Sequence, residues 1–322
     1  MLGWQSMWFE RNLSLQAHLP IADSLRKAPL FILGLWRSGT TYLHDLFGSC
    51  PGLVYPETWQ CMNASSVRLH ASPRVSEKVM VRPMDRFAIS ARSPQEDEFA
   101  LLALGIESVY RGFLDPNRLR ELERLLDPDS WRDARPLGWP DRWLGFLSAV
   151  ANGTDARLVL KSPSHSFRVC ELSRIFPDAR FAWIVRDPID IFHSNRKMWL
   201  AMIERYSLWS WETVFLDDFL CTAMTQAGRC LLAAIQALPR DQLVVVSLDQ
   251  LARQPIVTLT GLNRRLNVLD PEAILGSSHP VVARMAGYVP DRYNDADTPA
   301  QARLAALQLN AAQTEALNSH GV

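Results

Sequence analysis

Gly34-Leu-Trp-Arg-Ser-Gly39-Thr40-Thr41 sets two glycines five positions apart and follows them with two hydroxyl side chains. That spacing suits a phosphate-binding loop, in which backbone N–H groups and the positive end of the next helix hold phosphate oxygens. A Walker loop would carry lysine at position 40 for the β- and γ-phosphates of ATP, whereas this chain has Thr40. Two more cations stand in comparable places. Lys161 and Arg186 each follow a short apolar run that ends just before them.

Those runs are the elements that must position the chemistry. Residues 29–36 (PLFILGLW), 158–160, 180–185 (RFAWIV) and 242–248 (QLVVVSL) read as strands buried on both faces, the pattern of a parallel sheet. After the first, a glycine-bearing turn leads to Leu43, Leu46 and Phe47 at helical spacing. The second leads into a helix over about residues 164–176. The third leads into a helix that begins near Ile189, with Asp187 as its cap and Pro188 in its first turn. The fourth precedes a helix from about Leu251. This alternation predicts an α/β fold, a P-loop-like parallel sheet flanked by helices on both faces.

Ligands of such sheets lie beyond the carboxyl ends of the strands, so Arg37, Lys161 and Arg186 are expected to converge on one edge. Lys+Arg and Asp+Glu both total 34, for a net charge of zero, so this convergence is local and implies a multiply anionic ligand. Three charge-assisted hydrogen bonds of ~1.5–3 kcal/mol each would dominate its binding. Where a Walker protein ends a strand with Asp to hold magnesium, Arg186 precedes Asp187, so cations take the metal's place and no metal is expected.

The neutral balance argues against nucleic-acid or membrane-surface partners. Five cysteines without Cys-x-x-Cys spacing signal neither a disulfide framework nor structural zinc. No apolar run approaches the ~20 residues of a membrane span, and the start lacks the features of a secretory signal. A soluble, cytoplasmic chain is expected; nothing in the sequence indicates its oligomeric state. Residues 1–28 read as a helical extension, 29–298 as a single α/β domain, and 299–322 as a C-terminal helix, near 300–317, with a frayed end. Within the domain, 58–152 and 199–238 look mainly helical and should cover the acceptor site. Ser93-Pro94-Gln95-Glu96 fits a capping box, with Ser93 as cap and Glu96 three residues on.

Arg37-Ser38-Gly39-Thr40-Thr41 before a helix resembles the 5′-phosphosulfate loop of sulfotransferases that use 3′-phosphoadenosine 5′-phosphosulfate (PAPS). Arg186, Asp187, Pro188 and Ser194 resemble that family's 3′-phosphate motif, and Lys161 in LKSPSH is similar to its central-strand lysine. SPQEDEFAL, from Ser93, is similar to the bacterial branch. The resemblance covers about residues 31–251. At 248–251 relatives often read Tyr-Glu-Asp-Leu, and here Leu248 replaces the tyrosine that would meet adenine.

The resemblance implies transfer of a sulfuryl group from PAPS to a hydroxyl, or an amine, of a small-molecule acceptor, with release of adenosine 3′,5′-bisphosphate. Residues 37–42, Arg37 through Tyr42 with Ser38, Gly39, Thr40 and Thr41 between, would then hold the 5′ side. Arg186 and Ser194 would hold the 3′-phosphate, and Lys161 with Arg37 would neutralise the leaving oxygen. Two residues compete as the base: Glu57, placed like the glutamate of tyrosylprotein sulfotransferases, and His165, near the histidine position of cytosolic ones. At neutral pH a Glu is already ionised and a His of pKa ~6.5 is mostly neutral, so protonation does not choose between them. An ATP-using phosphotransferase and a nucleotide-binding module without turnover are the alternatives.

Overall fold

Leu30, Phe31, Ile32 and Leu33 have no solvent exposure, as a strand at the centre of a parallel sheet requires. They form β1 (Leu30–Leu33) of a computed structural model that describes residues 25, 27–69, 79–85, 87–133, 139–285 and 290–322. The helical extension expected at 1–28 falls almost wholly outside the described residues. α1 (Thr40–Gly48) follows the glycine turn, then β2 (Leu53–Val54) and α2 (Thr58–Met62). An antiparallel pair that the sequence reading did not foresee, β3 (Met80–Val81) and β4 (Ala88–Ile89), precedes α3 (Asp97–Ala103) and α4 (Asp141–Val150).

The chain then lays down β5 (Arg157–Lys161), α5 (Val169–Ile175), β6 (Arg180–Val185) and the long helices α6 (Pro188–Tyr206) and α7 (Val214–Ala237). β7 (Leu243–Ser247), α8 (Leu248–Arg253), α9 (Pro255–Leu266) and α10 (Ala300–His320) complete the elements used below. The helix expected over 164–176 is instead a tight 3₁₀ turn at Pro163–Phe167 followed by α5.

The five strands run parallel in the order β2-β5-β1-β6-β7. Leu30 pairs with both Val159 and Arg180, so the strands carrying Lys161 and Arg186 at their ends flank the strand that feeds the loop. Side chains alternate between faces at period two. Phe31, Leu33, Leu158, Leu160, Phe181 and Trp183 join one apolar cluster. Leu30, Ile32, Val159, Ala182 and Ile184 join another on the opposite face.

α10 corrects the expectation of a frayed end. It packs along α7, where an added Cβ on Gly228 would lie 3.5 Å from the Leu309 Cα. Beyond it Gly321 bridges Val245, and the Val322 N–H donates to the Val245 carbonyl at 3.2 Å. The exposed hydrogen-bonding edge of β7 is thereby partly covered, which favours an ordered end over a frayed one.

Candidate active site

The loop between β1 and α1 is shaped by backbone that ordinary residues avoid. Gly39 has φ 102°, and an added Cβ would lie 2.5 Å from Leu248 Cδ1. Arg37 also has positive φ, 67°, a conformation that costs a non-glycine residue of order 1 kcal/mol or more. Contacts around it hold that geometry: the Arg37 carbonyl accepts from Arg186 Nη1 at 2.9 Å, and the Ser38 N–H and hydroxyl donate to the Leu35 carbonyl at 3.2 and 2.7 Å. The nine-residue α1 begins at Thr40, so its first N–H groups face the loop without intrahelical acceptors.

Three of the cations singled out by sequence meet here. Arg37 Nε donates to Ser194 Oγ at 3.2 Å, which joins the loop to the first half of α6. Arg37 Nη1 also donates to Asp85 Oδ2 at 2.7 Å, in the turn between β3 and β4. Arg186 is buried; its Nη1 and Nη2 hold the carbonyls of Arg37 and Asp291. Its Nε meets no hydrogen-bond acceptor, with the Asp190 carboxylate 3.9 Å away. Lys161, only 2% exposed, sends Nζ to within 3.4 Å of Thr41 Oγ1.

The second partner of Lys161 overturns the capping-box reading of residues 93–96. α3 begins at Asp97 with no side-chain cap, and Ser93 instead accepts at its hydroxyl from the Ser90 N–H at 2.9 Å. Glu96 turns inward: its Oε1 accepts from Lys161 Nζ at 2.6 Å and its Oε2 from the Tyr110 hydroxyl. The next two acids behave alike. Asp97 meets His165, Nε2 to Oδ2, at 2.9 Å, and Glu98 takes the Arg168 guanidinium. All six side chains are at most 13% exposed, and burial of polar and ionic groups is costly unless each is paired, so 96–98 and 161–168 interlock through two ion pairs, Lys161–Glu96 and Arg168–Glu98, and one carboxylate–histidine contact, Asp97–His165. A run of three acids matched by basic residues at 161, 165 and 168 was the available signal for it.

Tyr110 extends this network into the loop. Its oxygen accepts from the Trp36 indole N–H at 2.9 Å while its proton points to Glu96. Burial, and then the Glu96 charge, push its phenol well above the ordinary value, so it remains a donor.

The two bases considered from sequence lie elsewhere. His165 is fully buried, edge-on to Phe31 at 5.5 Å, with its Nε2 committed to Asp97. Glu57 caps α2; its N–H donates to Gln60 Oε1 at 2.8 Å, and its carboxylate takes the Trp59 indole N–H and faces Arg92 Nη1 at 3.5 Å.

A cleft of about 500 Å³ opens over the loop, walled by Arg37, residues 39–42, Asp85, Glu96 and Met198 among others. A smaller pocket of about 110 Å³ shares Thr41, Arg82 and Phe87 with it and includes Lys161. Neither Glu57 nor His165 lies on these walls. Among the described residues no group of three or more His, Cys, Asp or Glu is placed to hold a metal ion, and no helix is long and apolar enough to cross a membrane.

Residues 29–272 match the model of the sulfotransferase family, three quarters of the chain and every strand of the main sheet. The chain belongs to the sulfotransferase family. This sulfotransferase is 29% identical over 293 residues to the omega-hydroxy-beta-dihydromenaquinone-9 sulfotransferases of Mycobacterium bovis and Mycobacterium tuberculosis, spanning 90% of this chain and 74% of theirs. Its fold is shared with the crystal structures of sulfotransferase STF9 from Mycobacterium avium (TM-score 0.62, 20% identity, 95% of this chain and 80% of that one) and STF1 from Mycobacterium tuberculosis (TM-score 0.61, 18%, 95% and 81%).

Two sequence features of the sulfotransferase take clearer form in this setting. Leu248, where relatives often have tyrosine, packs under Gly39 and lines the cleft with an apolar surface. In the segment 199–238, Trp199 is core, 5.7 Å from Trp36 in an edge-on contact, and Trp209 is 62% exposed.

Proposed function

We propose that this sulfotransferase takes its sulfuryl group from PAPS and passes it in-line to a hydroxyl of a small-molecule acceptor, releasing adenosine 3′,5′-bisphosphate. The observation that carries the reading is the contact of Arg37 with Ser194 and of Arg186 with the Arg37 carbonyl. It joins the loop and the first half of α6, the two segments this reading assigns to the 5′ and 3′ phosphates of the nucleotide. The buried Nε of Arg186 has no hydrogen-bond acceptor among the described residues, the Asp190 carboxylate standing 3.9 Å away.

Sulfuryl transfer resembles phosphoryl transfer, with negative charge growing on the bridging oxygen of the leaving phosphate. Lys161, in reach of Thr41, and Arg37, tied to Ser194 of α6, are the groups to neutralise that charge. The loop N–H groups and Thr40, Thr41 and Tyr42 at the head of α1 would hold the 5′-phosphosulfate. The relatives named for a menaquinone derivative act on a lipid hydroxyl. The apolar share of the cleft wall, from Met84, Phe87, Met198 and Leu248, suits an acceptor with an apolar body.

Calorimetric titration tests the donor assignment. Arg186→Ala should weaken adenosine 3′,5′-bisphosphate by ~10- to 100-fold and leave adenosine 5′-phosphate, which lacks the 3′ group, little changed. Equal losses for the two nucleotides would remove Arg186 from the 3′ site. Incubating producer-cell extract with enzyme and PAPS and searching for products heavier by one sulfuryl group would identify the acceptor.

A further inference from the structure

We propose that Glu96 is the base that takes the acceptor's proton, with Tyr110 as its positioning residue. The inference rests on the donor reading above and assigns the step that reading leaves without a residue. Glu96 is a carboxylate on the cleft wall beside the phosphate loop, and its Oε1 lies 2.6 Å from the same Lys161 Nζ that reaches Thr41. A sulfuryl group held at Thr41 would therefore have the ammonium and the carboxylate as immediate neighbours.

Asp85, Glu57 and His165 are each engaged elsewhere. Asp85 is shared by Arg37 and Arg82, which hold its carboxyl down at about 2 against the upward push of burial and leave it a poor proton acceptor. Glu57, which does not line the cleft, is tied to the Trp59 indole and faces Arg92, and His165 is sealed in the core against Asp97. Glu96 keeps acceptor capacity, because a carboxylate has about four lone-pair directions and Lys161 and Tyr110 occupy two. The Trp36–Tyr110 link fixes the carboxylate relative to the loop, so donor and base are set by one hydrogen-bonded chain.

The step balances without a co-reactant. The acceptor O–H bond breaks and its proton passes to Glu96; the acceptor oxygen bonds to sulfur as the bond from sulfur to the phosphate oxygen breaks. That oxygen leaves as part of adenosine 3′,5′-bisphosphate with its charge facing Lys161. Glu96 then gives the proton to water.

Glu96→Gln tests this with two acceptors, 1-octanol and 4-nitrophenol, and with titration of adenosine 3′,5′-bisphosphate. Nucleotide binding is expected to persist, while transfer from PAPS to the alcohol falls by ~10²- to 10⁴-fold, the usual worth of a general base. Loss should be much smaller for 4-nitrophenol, assayed above its pKa so that its oxygen is already ionised. Glu57→Gln and His165→Asn should show no such dependence on acceptor acidity. Near-normal transfer to octanol by Glu96→Gln, or equal losses with both acceptors, would overturn the assignment, the second outcome pointing to a structural role through Lys161.

Should Glu96→Gln fail to bind the nucleotide, Glu96→Asp carries the test. It retains a proton acceptor set back by one methylene, and a loss concentrated on octanol is again expected, an even loss being the contrary result. Wild-type enzyme that binds adenosine 3′,5′-bisphosphate but transfers to neither hydroxyl would count against Glu96 as base, while absence of nucleotide binding would instead defeat the donor reading.

Discussion

Arg37 Nη1 lies 2.7 Å from Asp85 Oδ2, so a guanidinium assigned to the donor's phosphates already carries an anion from the β3–β4 turn. Arg82 braces the same carboxylate from the other side. A phosphate arriving at Arg37 must therefore share the cation with Asp85 or displace it.

Asp85→Asn should accordingly tighten adenosine 3′,5′-bisphosphate, by about tenfold, equivalent to about 1.4 kcal/mol, and most clearly at low salt. Calorimetric titration over a range of ionic strength reads this directly. Weaker binding in the variant would show that Asp85 serves to aim Arg37 rather than to compete for it.

The same pair sets an acid limit on stability. Burial alone would raise the Asp85 carboxyl, but Arg82 and then Arg37 draw it from 3.8 to about 2. A depressed folded-state value stabilises the protein above the unfolded value, and that stability is lost as pH falls through the folded one. The contribution is on the order of 2 kcal/mol. Urea unfolding between about pH 4 and about pH 2 should show the parent losing more stability than Asp85→Asn. Parallel curves would rule the pair out as an acid-sensitive element.

Lys161 contacts both Glu96 and Thr41 and is almost fully buried. Lys161→Ala should lower kcat by ~10²- to 10³-fold, as expected for removal of one donor to a developing charge. Adenosine 3′,5′-bisphosphate should still bind. Turnover equal to wild type would take Lys161 out of the mechanism.

Asp97 holds both His165 Nε2, at 2.9 Å, and the Trp143 indole N–H, at 2.7 Å. Burial works to raise the Asp97 carboxyl, yet His165 and the Trp143 hydrogen bond bring it below the ordinary value. Asp97→Ala strands both partners and should cost about 3–5 kcal/mol in urea unfolding. His165→Asn should lower stability while kcat at saturating substrates stays near wild type. A kcat collapse in a folded His165→Asn protein would restore the histidine as a candidate base.

Gly39→Ala places a Cβ 2.5 Å from Leu248 Cδ1 at a φ of 102°. Strain of ~1–3 kcal/mol at the loop should appear as weaker nucleotide binding. Adding Leu248→Ala should recover only part of the loss, because the side chain then yields but the backbone angle remains. Complete recovery would show that contact alone makes Gly39 necessary.

Much of this was readable from residue order because parallel strands have a strong local signature. Continuous apolar runs at 30–33, 158–160 and 180–185 made the sheet legible, and the cations that follow each run made legible the site proposed for the anion. These features survive translation into one dimension, since strand, loop and helix start are neighbours in sequence. The β3–β4 pair did not show itself because each strand is only two residues long, too short for alternation to register.

The sequence by itself determined the loop, the helix start and the strand-end cations to which the donor is proposed to bind, each specified within a few residues. Tertiary structure alone decided what surrounds them. Glu96 and Lys161 are 65 residues apart, and Trp36 and Tyr110 are 74 apart. In sequence Glu96 has the spacing of a capping-box partner to Ser93, and His165 has the chemistry of a base. Burial placed both, because polar groups sealed from water must find partners: His165 lies in the core against Asp97, and Glu96 faces Lys161 at the cleft.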